Sequence, residues 1–126
     1  MINGESICTP EDEDVLREDG SYPSGHTAVG WGWALILSEL APDRSEQILA
    51  RGRAFGESRT VCNVHWYSDV VAGRLVGAAA VAKLHTNPAF REALDAARSD
   101  LERMRSAGQA PPNNCATEAK ALGFAL

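Results

Sequence analysis

Between Thr27 and Leu40 the chain carries Val29, Trp31, Trp33, Leu35, Ile36, Leu37 and Leu40. At a helical period these residues fall on every side of the wheel. A helix that is apolar all round must be wrapped by other elements, so the fold has to be built around this one. Gly30 and Gly32 weaken it as an isolated helix, by roughly 1 kcal/mol each against alanine. They suit it to close packing against neighbours. The Pro42 that follows Leu40 and Ala41 ends it, since a proline disfavours helical backbone in the residue before it.

The neighbours are legible in the same way. Arg44–Arg59 reads as a second helix, with Ile48, Leu49, Ala54 and Phe55 as its apolar positions. His65–Leu84 reads as a third, rich in Val, with small residues (Ala72, Gly73, Gly77, Ala78, Ala79, Ala80) that permit close helix approach. Asn87-Pro88 breaks the chain and opens a fourth, Ala89–Arg105. Its Phe90, Leu94, Ala97, Leu101 and Met104 recur at steps of three and four among charged residues, the pattern of an amphipathic surface helix. Residues 1–23 are polar and punctuated by Gly4, Pro10, Gly20 and Pro23, and read as loop. Cys115–Leu126 reads as a frayed helical turn or a disordered tail. Strand patterning is nearly absent. The class is therefore all-α, a bundle of about four helices over residues 1–106, with 107–126 as a tail.

Composition sets limits on function. The chain has 126 residues and a net charge of −5, which suits one domain and disfavours nucleic acid as a partner. The negative charge is concentrated at Glu5, Glu11, Asp12, Glu13, Asp14, Glu18 and Asp19, against Arg17 alone. The run Glu11–Asp14 lacks the glycine and alternating spacing of a calcium loop and reads as a solvated loop. The longest apolar run, Val70–Ala82, is interrupted by Arg74 and falls short of the ~20 residues of a transmembrane span. The first residues have neither the basic nor the apolar region of a signal peptide. Cys8, Cys62 and Cys115 form no CxxC pair, so zinc is not expected. They allow three pairings for one disulfide.

Two stretches carry the chemistry. Gly20-Ser21-Tyr22-Pro23-Ser24-Gly25-His26-Thr27 lies directly ahead of the buried helix. Small residues at a helix N-terminus expose backbone N–H groups that can hold an anion, and His26 follows at once. By itself this is also the pattern of an ordinary serine N-cap. The second stretch runs from Ser58 to Asp69. Arg59 can grip a phosphate or a carboxylate in bidentate fashion. His65 and Asp69 are four apart and share a helix face. A carboxylate on one imidazole nitrogen fixes the tautomer and frees the other as base or nucleophile. A purely structural His–Asp pair has the same spacing.

Together the stretches resemble the phosphatidic-acid-phosphatase type 2 (PAP2) superfamily, and within it the bacterial class A non-specific acid phosphatases. Pro23, Ser24, Gly25 and His26 match the family's PSGH motif. Ser58, Arg59, His65 and Asp69 match SRxxxxxHxxxD without a gap. The longer string Gly20–Thr27 and the segment Leu84–Phe90 are similar to the class A branch. The resemblance runs from about Ser6 to about Ser106.

It implies a phosphohistidine mechanism on small phosphate monoesters, with no metal or other cofactor. His65 is then the nucleophile, Asp69 orients it, and His26 is general acid and then base. Arg59, Ser24 and the Gly25 N–H bind the phosphate oxygens. The two histidines need opposite protonation states. An ordinary imidazole pKa of about 6.5 puts both within reach slightly below neutrality. Cys8 and Cys62 fall near the two motifs, and a disulfide between them would tie the loop ahead of PSGH to the loop ahead of His65. That bond needs an oxidising compartment, in keeping with the periplasmic location that the resemblance implies.

The family's first motif, KxxxxxxRP, does not occur in the 126 residues, which contain only Lys83 and Lys120. It is expected ahead of Met1, together with the family's N-terminal helices and export signal, which makes this chain the C-terminal part of a PAP2-type bundle. Two consequences are expected. The faces of Thr27–Leu40 and His65–Leu84 that those helices would cover form an apolar patch that invites self-association. Turnover is impaired, which leaves room for a non-catalytic phosphate-binding remnant, or half-domain needing an N-terminal partner, as an alternative to the phosphatase. A vanadium haloperoxidase-like enzyme, sharing the same site, is the third reading.

Overall fold

The computed structural model describes residues 6–109 and 115–123. Among these residues there is no strand. Six helices follow in order: α1 Glu13–Glu18, α2 Gly25–Leu40, α3 Ser45–Val61, α4 Tyr67–Leu84, α5 Pro88–Ser106 and α6 Cys115–Ala121. Short 3-10 turns at Pro10–Asp12 and Pro42–Arg44 lead into α1 and α3.

The four expected helices are present with ends shifted by a few residues, and α1 is added. Of the two readings of Cys115–Leu126, the helical one holds over Cys115–Ala121, with 124–126 outside the described residues. The segment read as loop holds α1, which Asp12 and the acids of its first turn begin. Acidic side chains there oppose the positive end of the helix dipole, a local effect that hydrophobic periodicity does not reveal. At the other end, α6 is tied to α3 by an exposed ion pair, Arg51 Nε to Glu118 Oε1 at 2.7 Å.

The core is the packing of α2 against α4 and α3. Ser24 and Ala28 of α2 lie against Gly73 and Gly77 of α4, and Gly32 lies against Val81. Both series advance by four residues in the same direction, so α2 and α4 are parallel and in register. A Cβ on Gly73 would come within 2.6 Å of the Ser24 carbonyl oxygen, and one on Gly77 would drive into that of Ala28. The glycines are what let two backbones meet. The helix α3 returns antiparallel to α2, with Gly52 under Ala34 and Gly56 under Thr27. Val70 is fully buried where the three helices meet.

Burial of α2 differs from the all-round expectation. Thr27, Gly32 and Ala34 are buried, whereas Val29, Trp33 and Leu37 are 55%, 67% and 50% exposed. They are four residues apart and form one continuous stripe. Leu75 and Val76 leave a second apolar face open on α4.

The helix α5 is capped by Asn87, whose side chain accepts from the Ala89 N–H at 3.0 Å, with Pro88 in the first turn. It buries Leu94. Polar clasps complete its attachment: Arg98 lies 3.9 Å from Glu39 of α2, which also faces His85 Nε2 at the end of α4 at 3.1 Å, and Arg105 reaches Asp43 at 3.1 Å. His85 also meets the Phe90 ring edge-on at 5.2 Å.

A methyl group at position 77 has no space to enter, because the atom it meets is backbone. Gly77→Ala is expected to lower unfolding stability by about 1–3 kcal/mol, the usual range for overpacking. Gly20→Ala, where a Cβ meets nothing within 4 Å, is expected to be neutral. Urea denaturation of the two variants beside the parent chain checks both.

Candidate active site

The site is assembled at the end of the bundle where α2 and α4 begin. Ser24 is the N-cap of α2: its Oγ accepts from the Thr27 N–H at 3.2 Å and from the Thr27 hydroxyl at 2.9 Å. This bond satisfies one of the helix's unpaired donors. The N–H groups of Gly25 and His26, in the same first turn, have no intrahelical acceptor. The Ser24 N–H donates to the Asp69 carbonyl at 3.0 Å, so one backbone bond docks the first motif on the second.

His65 is held at the other side of that joint. The helix α3 ends in a Schellman turn, in which Asn63 N–H donates to Thr60 O and Val64 N–H to Arg59 O. Asn63 takes the left-handed conformation, φ 56°, where asparagine is tolerated better than most residues. The His65 N–H donates to the Arg59 carbonyl at 3.3 Å. The turn therefore hands the chain directly to the start of α4 with His65 pinned in passing.

Asp69 is 2% exposed. Its Oδ2 accepts from the Trp66 N–H at 3.0 Å, closing the N-terminus of α4. Its Oδ1 accepts from the Ser68 hydroxyl at 3.2 Å. His65 Nδ1 lies 3.5 Å from Oδ2, buried and without a hydrogen bond at that distance. Burial pushes the Asp69 carboxyl upward. The Trp66 N–H and the polar groups of Ser21, Ser68 and His65 around it outweigh this and hold it below its ordinary 3.8. Asp69 is thus an anion prepared to face an imidazole N–H. With Nδ1 turned to Asp69, Nε2 is the nitrogen left for chemistry. The His26 ring is 6.5 Å from the His65 ring between centroids and inclined to it by 62°.

His65, Asp69 and His26 are therefore brought together, with Gly25 beside them. Ser24 is placed at the joint, but its side chain is fully buried and committed to Thr27. The guanidinium of Arg59 lies along its own helix: Nε and Nη2 donate to Ser58 Oγ at 3.2 and 3.0 Å. It also covers the Phe55 ring at 5.4 Å. Among the described residues no cluster of His, Cys, Asp and Glu has the make-up of a metal site. Cys8 and Cys62 are joined in a disulfide, Cα–Cα 4.9 Å.

A family model described as the PAP2 superfamily matches residues 3–91. The chain belongs to this superfamily. Several acid phosphatases are similar to it along most of its length. The non-specific acid phosphatase of Salmonella typhimurium is 54% identical over 101 residues, which is 80% of this chain and 40% of that protein. The acid phosphatase of Zymomonas mobilis is 49% identical over 105 residues, covering 83% of this chain and 40% of the relative. The non-specific acid phosphatase of Providencia stuartii is 47% identical over 102 residues, 81% and 41% respectively. The chain thus spans about 40% of the length of these relatives.

In this PAP2 chain, sequence reasoning missed the partners of Asp69. Ser21 and Ser68 stand within the two motif stretches, and adjacency to Asp69 was the available signal for Ser68. Ser21 is brought in only by the docking of α2 on α4. Thr27 was read as the start of the apolar helix and not as the partner of the cap.

A carboxyl whose folded pKa is lowered contributes stability above its unfolded value of about 3.9, and this is lost as the pH falls through the folded value. Urea melts of the parent chain are therefore expected to weaken below about pH 4. Asp69→Asn is expected to be less stable near neutrality and to show a shallower acid limb. An unchanged acid limb in the variant would remove Asp69 from the account.

Proposed function

We propose that this chain carries the phosphoryl-transfer residues of an acid phosphatase acting on small phosphate monoesters through a phosphohistidine. The observation that carries the reading is His65 set against the buried Asp69 carboxylate, with the His26 ring 6.5 Å from the His65 ring between centroids. It supports the following sequence. His65 Nε2 attacks phosphorus while the ester P–O bond breaks, and His26 gives its proton to the leaving oxygen. Water then attacks the phosphorus, His26 takes its proton, and the P–N bond breaks to release inorganic phosphate. Asp69 holds the Nδ1–H throughout and stabilises the cation that His65 becomes. The open Gly25 N–H lies where a phosphate oxygen can be bound at the start of α2. In the same proposal Arg59 swings from Ser58 to the phosphate, and the Ser24 hydroxyl contributes only after turning away from Thr27.

A phosphate-binding half that lacks turnover is the second reading. It is favoured by the contacts of Arg59, which are spent on Ser58 and Phe55. In either reading residues 1–106 form the working unit, with 107–126 appended. The Cys8–Cys62 bond supports a location in an oxidising compartment such as the periplasm. No helix among the described residues is long and apolar enough to cross a membrane. The exposed stripe Val29–Trp33–Leu37 supports self-association.

Hydrolysis of p-nitrophenyl phosphate at about pH 6, near the ordinary imidazole pKa, tests the proposal. The parent chain is expected to release p-nitrophenol. His65→Ala should abolish this, and His26→Ala should slow it by about 10²-fold or more. Equal rates in the parent and His65→Ala reject catalysis. Phosphate binding without turnover identifies the second reading.

A further inference from the structure

We propose that the Cys8–Cys62 disulfide is a positioning device for His65, so that the site works only while this bond is oxidised. The inference rests on His65 as the nucleophile, and its test includes a readout that does not depend on turnover.

The disulfide closes on the turn that presents His65. Cys62 caps α3, with its N–H on the Ser58 carbonyl at 2.9 Å, and stands three residues ahead of His65. The turn between them hangs on the Arg59 carbonyl, which receives both the Val64 and the His65 N–H groups at the long distances of 3.2 and 3.3 Å. Beyond His65 the chain is fixed again by the Trp66 N–H on Asp69. The imidazole is 3.5 Å from the carboxylate, at the edge of hydrogen-bonding range. A displacement of a few tenths of an ångström at this turn decides whether Asp69 holds the ring in one tautomer.

The other sulfur belongs to a segment with little hold of its own. Among the described side chains of residues 6–20 only Ile7 is buried, while Val15 is 71% exposed. The segment is attached at two places. Cys8 joins Cys62, ahead of His65, and the Ser24 N–H bonds the Asp69 carbonyl at 3.0 Å. Residues 8–24 are thus a strap anchored at Cys62, three residues ahead of His65, and at Asp69 itself. Opening the disulfide frees one anchor, while the backbone bonds of Asn63, Val64 and His65 at 3.1–3.3 Å remain.

The opening step is ordinary thiol–disulfide exchange with a dithiol. A thiolate of the dithiol attacks one sulfur, forming a mixed disulfide. Its second thiolate then displaces the protein sulfur. Cys8 and Cys62 each end as a thiol after taking a proton, and the dithiol, having supplied two electrons, ends as a cyclic disulfide.

The test uses the full chain with Cys115→Ser, so that the exposed third cysteine cannot exchange. Its oxidised form, its dithiothreitol-reduced form and the Cys8→Ser variant are compared. Long-range 1H–15N spectra of the His65 imidazole report the tautomer directly. The oxidised form is expected to show a single tautomer with the proton on Nδ1, and the two open forms an average of both. If p-nitrophenyl phosphate is turned over, kcat is expected to fall by about 10–100-fold on opening, as for small misplacements of a reacting group. KM should change by less than about twofold, and reoxidation should restore the reduced chain but not Cys8→Ser.

Leu94→Ala, which removes a buried contact in α5 and leaves the disulfide intact, controls for stability alone. At equal helicity, held if necessary with trimethylamine N-oxide, it should keep the oxidised His65 spectrum. Identical His65 spectra in the oxidised and open forms overturn the proposal, as does a change in Leu94→Ala equal to that in the open forms. A chain with no phosphatase activity, but with a His65 spectrum that still follows the disulfide, rejects the phosphatase reading and leaves the positioning inference standing.

Discussion

The backbone bond from Ser24 to the Asp69 carbonyl is the joint on which the site depends. It links the residue that caps α2 to the residue that closes α4, across 45 positions of sequence. A bond of this kind requires two helix backbones in near contact, which side chains of ordinary size prevent. Gly73 and Gly77 remove that obstacle, and the parallel register of α2 and α4 follows from them. The packing of small residues deep in the bundle and the meeting of the two motifs at its end are one geometric fact.

Asp69 shows why the joint is worth its local cost. A carboxylate that is almost wholly buried would ordinarily take up a proton. Here its two oxygens receive the Trp66 N–H and the Ser68 hydroxyl, with Ser21 adding to the polar surroundings that keep it charged. The same carboxylate closes the N-terminus of α4 and faces His65. Folding and chemistry are therefore coupled through one side chain, and a substitution there disturbs the helix start as well as the imidazole.

Much of this was legible in the sequence, for identifiable reasons. The four long helices announce themselves by apolar periodicity and by Pro42 and Pro88. His65 and Asp69 announce themselves by a spacing of four at a helix start. What periodicity does not carry is the environment of a side chain. Nothing in the composition separates Thr27, buried as a cap partner, from Val29, exposed two residues later. The resting place of Arg59 is set by Ser58 and Phe55 on its own helix, a choice between local and distant partners that a motif leaves open. The short helix α1 escaped because its signal is electrostatic and lies in a stretch dominated by breakers. The partial exposure of α2 shows the limit of the all-round apolar rule, which states that such a helix must be covered but not by which element.

The parallel register of α2 and α4 has an electrostatic consequence. Each helix N-terminus carries roughly half a positive charge, and parallel neighbours bring two such ends to the same place. The mouth between His26 and His65 therefore lies in a field made by peptide groups, which neither gain nor lose protons. As acid changes the charge of every imidazole and carboxylate nearby, this part of the attraction for an anion stays constant. A site built on such a foundation keeps its sign across the whole acidic range.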